Sequence, residues 1–434
     1  MSRRLRVRPA TRPLTGRYTP PGDKSVSHRV AILGGLAAGE TSIRGFLDAE
    51  DTRATLNAMA HLGAEVEESN GEIRIRGGAL KPPSEPLDLG NSGTGMRLLC
   101  GMLSGRRELK GNSITLIGDR SLSSRPMGRI IQPLEAMGAR IDSEQQHAPL
   151  HIVPRALKGI RYSMPVASAQ VKSALLLAGL TASGDTVVIE PGPSRDHTER
   201  LLPAFGIPVR DGAPGVAVQG GAELRAASIR VPGDLSSAAF VMAAALLVPD
   251  SDVALENVGL NPTRDGFLRV IEALGAAPEM TLDSSVGLEP VGQVRVTHQR
   301  LRGVEIPAAW VPLAIDEFPI LMALAAAAEG RTVIQGAQEL RVKESDRIAV
   351  MRACLESLGV AVDETPDGAV IDGGAIQGGT VESQGDHRIA MSAAVLGLIA
   401  RDEVIIEGAE WIRTSYPGFV TDLNELGADL AWVD

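Results

Sequence analysis

The chain has 434 residues, of which 44% are apolar and 22% charged, a composition typical of a globular protein too long for a single core. Its net charge of −10 disfavours a general binder of nucleic-acid phosphates, and an aromatic content of 3% disfavours base stacking. The longest apolar run, residues 238–248, is too short to cross a bilayer, and the basic N-terminus lacks the apolar core of a signal peptide. Cys100 and Cys354 lie in apolar helical patterns without a Cys-x-x-Cys pair, so we expect buried thiols in a cytoplasmic protein.

A glycine that ends a helix and precedes a strand recurs six times along the chain. Glycine just after an apolar-periodic stretch is typical of the left-handed residue that terminates a helix. The intervals between these glycines range from 68 to 84 residues, which predicts six structural repeats. They are Gly63, Gly138, Gly206, Gly275, Gly359 and Gly427.

Each repeat also contains a second helix, which follows small or polar residues and precedes a β-branched strand. These helices begin near positions 22, 90, 167, 233, 316 and 385. The strands that follow lie near 41–46, 113–118, 186–191, 252–258, 332–337 and 403–408. Apolar residues surround this helix, as at 321–328, so it should be buried, whereas the amphipathic helix at 346–359 should lie outside. Six such units predict two domains of three, joined at the Pro-Gly stretches 18–23 and 231–234, with the first strand belonging to the second half.

Polar and basic residues occupy the N-terminal ends of the predicted buried helices. Those ends attract anions, and basic side chains there are unfavourable unless negative charge is present. Taken singly, each group also reads as ordinary helix capping or a solvated turn. A copy of residues 21–30 at 232–241 keeps Pro-Gly-Asp but has Leu235 in place of Lys24, so the turn itself does not need the lysine. The groups are 23–29, 91–97, 168–172, 316–317 and 386–388, with two further sets at 123–129 and 341–347.

Other chemistries have little support in the sequence. There is no P-loop motif, and no Gly-x-Gly-x-x-Gly follows a strand. The seven histidines show no metal-ligand spacing; His147 and His151 are four apart but lie among proline and polar residues. The pattern therefore favours a site without metal or cofactor that neutralises several negative charges.

Seven motifs run in order from near the N-terminus to about residue 420. They are 22-GDKSVSHR-29, 89-LGNSGTGMR-97, 125-RPMGR-129, 168-SAQVKSA-174, 315-IDEFPIL-321, 341-RVKESDR-347 and 386-DHRIAMS-392. Together they resemble the EPSP synthase (3-phosphoshikimate 1-carboxyvinyltransferase) family of enolpyruvyl transferases.

The resemblance implies an α/β fold of two domains. Each would hold three βαβαββ units with buried parallel helices and sheets outside, an inside-out α/β barrel. Residues 1–20 and 235–434 would form a discontinuous domain and 21–234 an inserted one. Hinge strands near 18–23 and 231–235 would let them close on substrate.

The resemblance also implies the reaction. The enolpyruvyl (carboxyvinyl) group of phosphoenolpyruvate would pass to the 5-hydroxyl of 3-phosphoshikimate by addition and elimination. The products would be 5-O-(1-carboxyvinyl)-3-phosphoshikimate and phosphate, on the shikimate pathway to chorismate and the aromatic amino acids. The enzyme would be a cytoplasmic monomer with small-molecule substrates and no cofactor, metal, nucleic-acid or membrane partner.

Site residues follow from the resemblance position by position. Three residues are implied to be catalytic. Asp316 would be the base that takes the 5-hydroxyl proton, and Glu344 would deliver and remove the C3 proton. Lys24 would be a cation placed between both substrates. The implied contacts to 3-phosphoshikimate are Lys24, Ser25, Arg29, Ser168, Ala169, Gln170, Arg195, Asp316 and Lys343. The implied contacts to phosphoenolpyruvate are Lys24, Gly93, Arg125, Gln170, Arg347 and Arg388.

The chain departs from the family pattern at several positions. Ala169 stands where many relatives have a second serine, and Lys172 and Arg195 are the cations expected to compensate for the lost hydroxyl. Thr414 replaces a common lysine, with Arg413 one residue earlier, and Leu98 replaces a common proline. Together 22-GDKS-25, 168-SAQVK-172, 195-RDHTE-199 and 261-NPTR-264 resemble the subclass that tolerates glyphosate, an inhibitor that competes with phosphoenolpyruvate. Tolerant members often carry alanine at the position of Gly93.

Two alternatives remain at this stage. The UDP-N-acetylglucosamine enolpyruvyl transferases share the architecture, but their usual lysine-asparagine pair is absent because Ser25 follows Lys24. A non-catalytic repeat protein that binds anions would leave Asp316 and Glu344 without a role. A phosphate-release assay with each acceptor separates these possibilities.

Overall fold

The six apolar segments form helices that begin where the sequence predicts. The computed structural model describes residues 3–211, 215–283 and 289–433. Five of the six inner helices start at a side chain that accepts a backbone N–H of the first turn, as Asp23 does from Val26 at 2.9 Å. The α-helices are α1 (Lys24–Leu36), α2 (Glu50–His61), α3 (Gly93–Ser104), α4 (Arg120–Ser123), α5 (Gly128–Ala136), α6 (Ala169–Gly179), α7 (His197–Leu201), α8 (Leu235–Leu247), α9 (Gly266–Ala273), α10 (Phe318–Ala327), α11 (Arg347–Ser357), α12 (His387–Gly397) and α13 (Phe419–Leu426). Short 3₁₀ helices lie at 107–109, 202–205, 308–313, 338–342 and 409–414.

Short strands separate and follow these helices. The strands are β1 (Arg4–Val7), β2 (Thr15–Tyr18), β3 (Gly39–Arg44), β4 (Glu65–Ser69), β5 (Glu72–Gly77), β6 (Leu87–Asp88), β7 (Ile114–Ile117), β8 (Arg140–Glu144), β9 (His147–Val153), β10 (Arg161–Ser163), β11 (Asp185–Ile189), β12 (Arg210–Asp211), β13 (Val216–Gln219), β14 (Ser228–Arg230), β15 (Asp252–Gly259), β16 (Glu279–Leu282), β17 (Val291–Thr297), β18 (Arg331–Ile334), β19 (Ala361–Thr365), β20 (Gly368–Asp372), β21 (Gly379–Glu382), β22 (Val404–Glu407) and β23 (Leu430–Val433).

The repeat glycines have the predicted conformation. All six have a positive φ, from 82° at Gly206 to 122° at Gly427. A residue with a Cβ is disfavoured there, which explains why glycine stands at each of these helix ends. The sequence prediction of six repeats ending in left-handed glycines is confirmed.

The strands form six small sheets that share one pattern. In the sheet β6-β7-β9-β8, β6 and β7 are parallel neighbours connected through α3, and an antiparallel hairpin of β8 and β9 completes it. The sheets β14-β3-β5-β4, β10-β11-β13-β12, β16-β17-β15-β2 and β21-β22-β1-β23 have equivalent orders, and β18-β20-β19 has three strands. The N-terminal β1 pairs with β22 and β23, so the first strand joins the last repeat, as predicted. The predicted mixed α/β class is confirmed.

The chain divides into two compact units. Among the described residues, the inserted unit comprises 22–211, 215–232 and Glu289. The discontinuous unit comprises 3–21, 233–283 and 290–433. Each has its own apolar core, built around α1, α3 and α6 in the inserted unit and around α8, α10 and α12 in the discontinuous unit. Domain closure about hinges near 18–23 and 231–235 stays a prediction.

Both cysteines lie in these cores. Cys100 and Cys354 are buried, and neither forms a disulfide. Burial raises the pKa of each thiol to about 12. The prediction that both thiols are buried is confirmed. In the part of the chain that the structure describes, no helix has the length and apolar character to cross a bilayer.

Close packing of α3 against α6 explains a glycine inside a helix. A Cβ at Gly101 would lie 2.2 Å from the backbone oxygen of Ala174, closer than atoms can approach. We expect Gly101→Ala to lower the free energy of unfolding by about 1–3 kcal/mol through this overlap, despite alanine's better helix propensity. Urea unfolding measures the effect, with Gly374→Ala as control, because no atom lies within 4 Å of a Cβ there. Equal stability of the Gly101 variant and the wild type would contradict the packing.

Candidate active site

The predicted site residues fall into two sets, one on each unit. The inserted unit carries Lys24, Ser25, Arg29, Gly93, Arg125, Ser168, Ala169, Gln170 and Arg195, and the discontinuous unit carries Asp316, Lys343, Glu344, Arg347 and Arg388.

Arg347, the first residue of α11, lies at the centre of the set on the discontinuous unit. Its side chain is 1% exposed and contacts three carboxylates. Its Nε lies 2.8 Å from Asp386 Oδ2, its Nη2 lies 2.6 Å from Glu344 Oε2, and its Nη1 lies 3.5 Å from Asp316 Oδ1. The alternative interpretation of residues 344–347 as a solvated first turn is therefore wrong for Arg347. We call this group, together with Lys343 and Arg388, the arginine–carboxylate cluster.

Asp316 is held by cations on both its side chain and its backbone. Lys343 Nζ lies 3.1 Å from Asp316 Oδ1, and Arg388 Nη1 donates to the Asp316 carbonyl oxygen at 2.8 Å. The Asp316 side chain remains 19% exposed, so its carboxylate is accessible.

The electrostatics of the cluster depend on Arg347. Burial alone lowers the pKa of this guanidinium, but Asp386, Glu344 and Asp316 outweigh burial and raise the pKa above its ordinary value. Asp386 is completely buried and also caps α12 by accepting the backbone N–H of Arg388 at 3.0 Å. The cluster joins the starts of α10, α11 and α12 through charged side chains.

On the inserted unit, Lys24 begins α1 directly after the capping residue Asp23. Its Nζ lies 3.2 Å from Asp51 Oδ2, and the lysine side chain is 16% exposed. The sequence did not indicate Asp51, because an acid in the first turn of α2 reads as ordinary helix-dipole complementation. Because part of the Lys24 side chain remains exposed, its ammonium group can still contact an anion.

The repeat copy at 232–241 has the same cap without the lysine. Asp234 accepts the backbone N–H of Ser236 at 2.8 Å, as Asp23 accepts that of Val26. Leu235 is 1% exposed in the apolar core, and Arg264 Nη2 lies 3.1 Å from Asp234 Oδ1. The turn therefore forms with leucine, which supports a separate role for Lys24.

Arg29 lies one turn into α1 and is fixed by three acceptors. Its Nε donates to Thr198 Oγ1 at 2.7 Å, its Nη2 to Ser173 Oγ at 2.7 Å and its Nη1 to the Ser25 carbonyl oxygen at 2.9 Å. The residue is 3% exposed. A guanidinium has five N–H donors, so these three bonds leave capacity for a further acceptor.

His28, in the same motif, has a structural role. Its Nδ1 lies 2.8 Å from Thr55 Oγ1, and its Nε2 lies 3.5 Å from Ser92 Oγ, the cap of α3. Burial, followed by the charges of Lys24 and Arg29, lowers the pKa of His28 well below its ordinary value. A neutral His28 therefore links α1 to α2 and α3 without adding a charge.

Gln170 is oriented by residues of α3. Its Oε1 accepts from Arg97 Nη1 at 2.7 Å, and its Nε2 donates to Thr94 Oγ1 at 2.9 Å. Ser168 caps α6 and Ala169 is the first residue of that helix. The predicted residues 168–170 thus lie together at one helix start, next to the start of α3.

Arg125 and Gly93 are neighbours at that place. Arg125 Nη2 donates to Asn91 Oδ1 at 2.6 Å and to Ser121 Oγ at 3.2 Å. A Cβ at Gly93 would lie 3.1 Å from Arg125 Nη1 and 3.0 Å from Arg97 Nη1. Glycine here leaves room for two guanidinium groups beside the α3 N-terminus.

Lys172, one of the two cations expected to compensate for the missing hydroxyl at Ala169, is paired inside the unit. It is 2% exposed, and its Nζ lies 2.6 Å from both Glu190 Oε2 and Glu199 Oε1. The ammonium group of Lys172 is thus held inside the unit by Glu190 and Glu199, and compensation for the missing hydroxyl by a cation stays a prediction. Arg195, the other expected cation, is half-buried. In the sequence it lies between Glu190 and Glu199.

Within the described ranges no group of three or more histidine, cysteine or acidic side chains is arranged to hold a metal ion. The residues that sequence reasoning missed are mainly acids: Asp51, Glu190 and Glu199. Asp386 was singled out at a helix start, but its contact with Arg347 was not predicted. The partners of all four lie far away in sequence.

Comparison with known proteins gives consistent matches. A family model described as EPSP synthase (3-phosphoshikimate 1-carboxyvinyltransferase) matches residues 9–423. A 3-phosphoshikimate 1-carboxyvinyltransferase of Acidithiobacillus ferrooxidans is 51% identical over 428 residues, covering 98% of both chains. The enzyme of that name from Methylococcus capsulatus is 52% identical over 96% of both chains. A solved EPSP synthase structure from Acinetobacter baumannii superposes with a TM-score of 0.87 at 44% identity and covers 100% of both chains.

Proposed function

The chain belongs to the EPSP synthase family, and on this premise we propose that the residues described above carry out carboxyvinyl transfer from phosphoenolpyruvate to the 5-hydroxyl of 3-phosphoshikimate. The observation that supports this most directly is the arginine–carboxylate cluster. It holds two accessible carboxylates among three cations, as proton transfer between anionic substrates requires.

The inserted unit supplies the groups for 3-phosphoshikimate in this proposal. A phosphate carries about 1.5 to 2 negative charges at neutral pH, and charge-assisted bonds from arginine and lysine suit it. Arg29 has unused donors, and Ser25 and Ser168 lie at helix N-termini that favour anions. Arg195 and Gln170 complete the proposed contacts that the inserted unit makes with 3-phosphoshikimate. On the discontinuous unit, Lys343 and Asp316 would contact the ring hydroxyls of this substrate.

Phosphoenolpyruvate contacts are proposed for the guanidinium groups of Arg125, Arg347 and Arg388. Arginine binds carboxylate and phosphate through paired N–H groups, which a lysine cannot reproduce. Lys24 and Gln170 would contact this substrate as well. Without a cofactor, these cations and the helix N-termini carry the whole charge compensation.

Two carboxylates divide the proton transfers in the proposed mechanism. Asp316 takes the proton of the attacking 5-hydroxyl as the oxygen bonds to C2 of phosphoenolpyruvate. Glu344 delivers a proton to C3 and removes it again when phosphate leaves. A bound anion would share Arg347 with Glu344, and this sharing favours the protonated carboxyl group that proton delivery needs.

A phosphate-release assay with two acceptors tests the proposal. We expect turnover with 3-phosphoshikimate and phosphoenolpyruvate, and none with UDP-N-acetylglucosamine in its place. Turnover with the sugar nucleotide would favour the related transferase, and phosphate binding without turnover would favour a binding protein. The reaction product is identified by mass spectrometry, so a contaminating phosphatase cannot account for a positive result.

The glyphosate response follows from the space at Gly93. We expect Gly93→Ala to raise the inhibition constant for glyphosate about tenfold or more. The phosphoenolpyruvate KM should rise by only about threefold. The added methyl group would displace Arg97 and Arg125 slightly and fill room that the inhibitor uses. Competition kinetics measures both constants, and the KM for 3-phosphoshikimate serves as the internal control. Equal increases in both constants would contradict the prediction.

Membership of the tolerant subclass, a cytoplasmic location and a monomeric state are proposed from the sequence alone.

A further inference from the structure

The buried ammonium group of Lys172 contacts three oxygen atoms of the protein and has no proposed contact with either substrate. Its Nζ lies 2.6 Å from Glu190 Oε2, 2.6 Å from Glu199 Oε1 and 3.4 Å from the carbonyl oxygen of Ser194. An ammonium group has three N–H donors, so these acceptors can satisfy it completely. Ser194 Oγ also donates to Glu190.

These contacts fix both ends of one segment, residues 190–199. Glu190 follows β11, Glu199 lies in α7, and Ser194 directly precedes Arg195. Lys172 therefore ties α6, which carries the predicted substrate contacts 168–170, to the segment that carries Arg195. The one ammonium group links two parts of the candidate site.

A second pair runs beside the first. Ser173 follows Lys172 in α6, and Thr198 precedes Glu199 in α7; Thr198 Oγ1 donates to Ser173 Oγ at 2.7 Å. Both hydroxyls accept from Arg29, each at 2.7 Å. The position of Arg29 thus depends on the same α6–α7 contact that Lys172 and Glu199 hold.

The two arginines are close enough to affect each other. Burial lowers the pKa of Arg29 to about 10; Glu199 and Asp23 oppose this, while the charge of Arg195 adds to the lowering. Two neighbouring guanidinium groups repel, so a structure that holds them together is suited to an anion of more than one charge. Buried ion pairs contribute little net stability compared with apolar residues, so a purely stabilising role explains Lys172 poorly.

We propose that Lys172 is a positioning residue for 3-phosphoshikimate, which holds segment 190–199 against α6 so that Arg29 and Arg195 face the same phosphate group. The inference rests on the proposed function and extends it to a residue that does not contact substrate. It predicts a defect specific to one of the two substrates.

The variant Lys172→Met keeps the length of the side chain and removes its charge. We expect the KM for 3-phosphoshikimate to rise about tenfold or more, as for a lost charged hydrogen bond, while the KM for phosphoenolpyruvate changes less than about twofold. Lys158→Met is the matched control, because this exposed lysine lies on the same unit, and it should change neither constant. Calorimetry with 3-phosphoshikimate alone measures the same loss as a binding constant.

A second variant separates position from charge. Lys172→Met leaves a buried carboxylate in excess, which can both destabilise the fold and repel phosphate. Lys172→Met combined with Glu199→Gln has the wild-type net charge, so we expect it to recover stability but keep the 3-phosphoshikimate defect. A wild-type KM in this double variant would overturn the positioning role, since charge alone would then explain the single variant.

Failure of this inference and failure of the proposed function give different results. If the wild-type protein does not bind 3-phosphoshikimate in calorimetry, the proposed function is wrong. If the wild type binds and the double variant binds equally well, the function stands and the role of Lys172 is wrong. Parallel rises in both KM values would also overturn it, because they indicate a general loss of structure.

Discussion

Arg347→Met should be among the most damaging single substitutions in the chain, for both stability and activity. Removing this guanidinium takes away the cation that lies 2.8 Å from the completely buried Asp386. It also deprives Glu344 of its 2.6 Å contact. Breaking a buried ion pair from one side costs about 3–5 kcal/mol of unfolding free energy. Denaturant unfolding of the wild type and the variant measures the loss.

A second substitution separates the two effects. In Arg347→Met with Asp386→Asn, the excess buried charge is gone, while asparagine still caps α12 through its side-chain oxygen. We expect this double variant to recover much of the stability. Its kcat/KM for phosphoenolpyruvate should stay about 10²–10³ below wild type, the usual cost of losing one group that stabilises developing charge.

The outcome of the double variant decides the role of Arg347. Recovered activity together with recovered stability would show that Arg347 serves only the fold, against the proposed phosphoenolpyruvate contact. Arg352→Met is a suitable control, because this arginine lies on the same helix but is 46% exposed and pairs with Glu356 at the surface. It should change stability by less than about 1 kcal/mol.

The sequence predicted the elements whose signals are local. Glycine at a left-handed helix end and aspartate or serine at a helix start act within one turn, so Gly63 and Asp23 could be placed from their neighbours alone. The same local signals repeated six times revealed the repeats and hence the mixed α/β fold. Basic residues at buried helix starts then indicated the chemistry.

Tertiary partners could not be read in the same way. Lys24 and Asp51 are 27 positions apart, and Arg347 and Asp386 are 39 apart, so no periodicity connects them. The direction of a side chain is equally hidden, as Lys172 shows. Its place in a substrate-binding motif suggested a substrate contact, but the turn of α6 on which it lies faces α7.

The arginine–carboxylate cluster also has a charge balance that only the structure reveals. The three carboxylates are Asp316, Glu344 and Asp386. The three cations are Lys343 and Arg347, which contact carboxylate oxygens, and Arg388, which donates to the backbone carbonyl of Asp316. Neutralising the partly exposed Asp316 leaves the cluster with one net positive charge and should therefore strengthen anion binding. A residue whose loss improves substrate binding but abolishes turnover acts in the chemical step.

Asp316→Asn is the substitution that applies this reasoning. Asparagine keeps the shape of the side chain but cannot accept the 5-hydroxyl proton, so we expect kcat to fall by about 10²–10⁴. Because the cluster gains one net positive charge, the KM for phosphoenolpyruvate should stay level or fall. Steady-state phosphate release at saturating 3-phosphoshikimate measures both constants.

Two comparisons make the Asp316 prediction decisive. Asp363→Asn removes an exposed carboxylate from β19 of the same unit and should leave kcat within about twofold, since it does not touch the cluster. Unfolding of Asp316→Asn should match wild type within about 1 kcal/mol, because the Asp316 side chain is 19% exposed and its backbone contact to Arg388 is kept. A fall in kcat that came with a raised phosphoenolpyruvate KM and lost stability would instead mean that Asp316 holds Lys343 and Arg347 in place, and the proton acceptor would have to be another group.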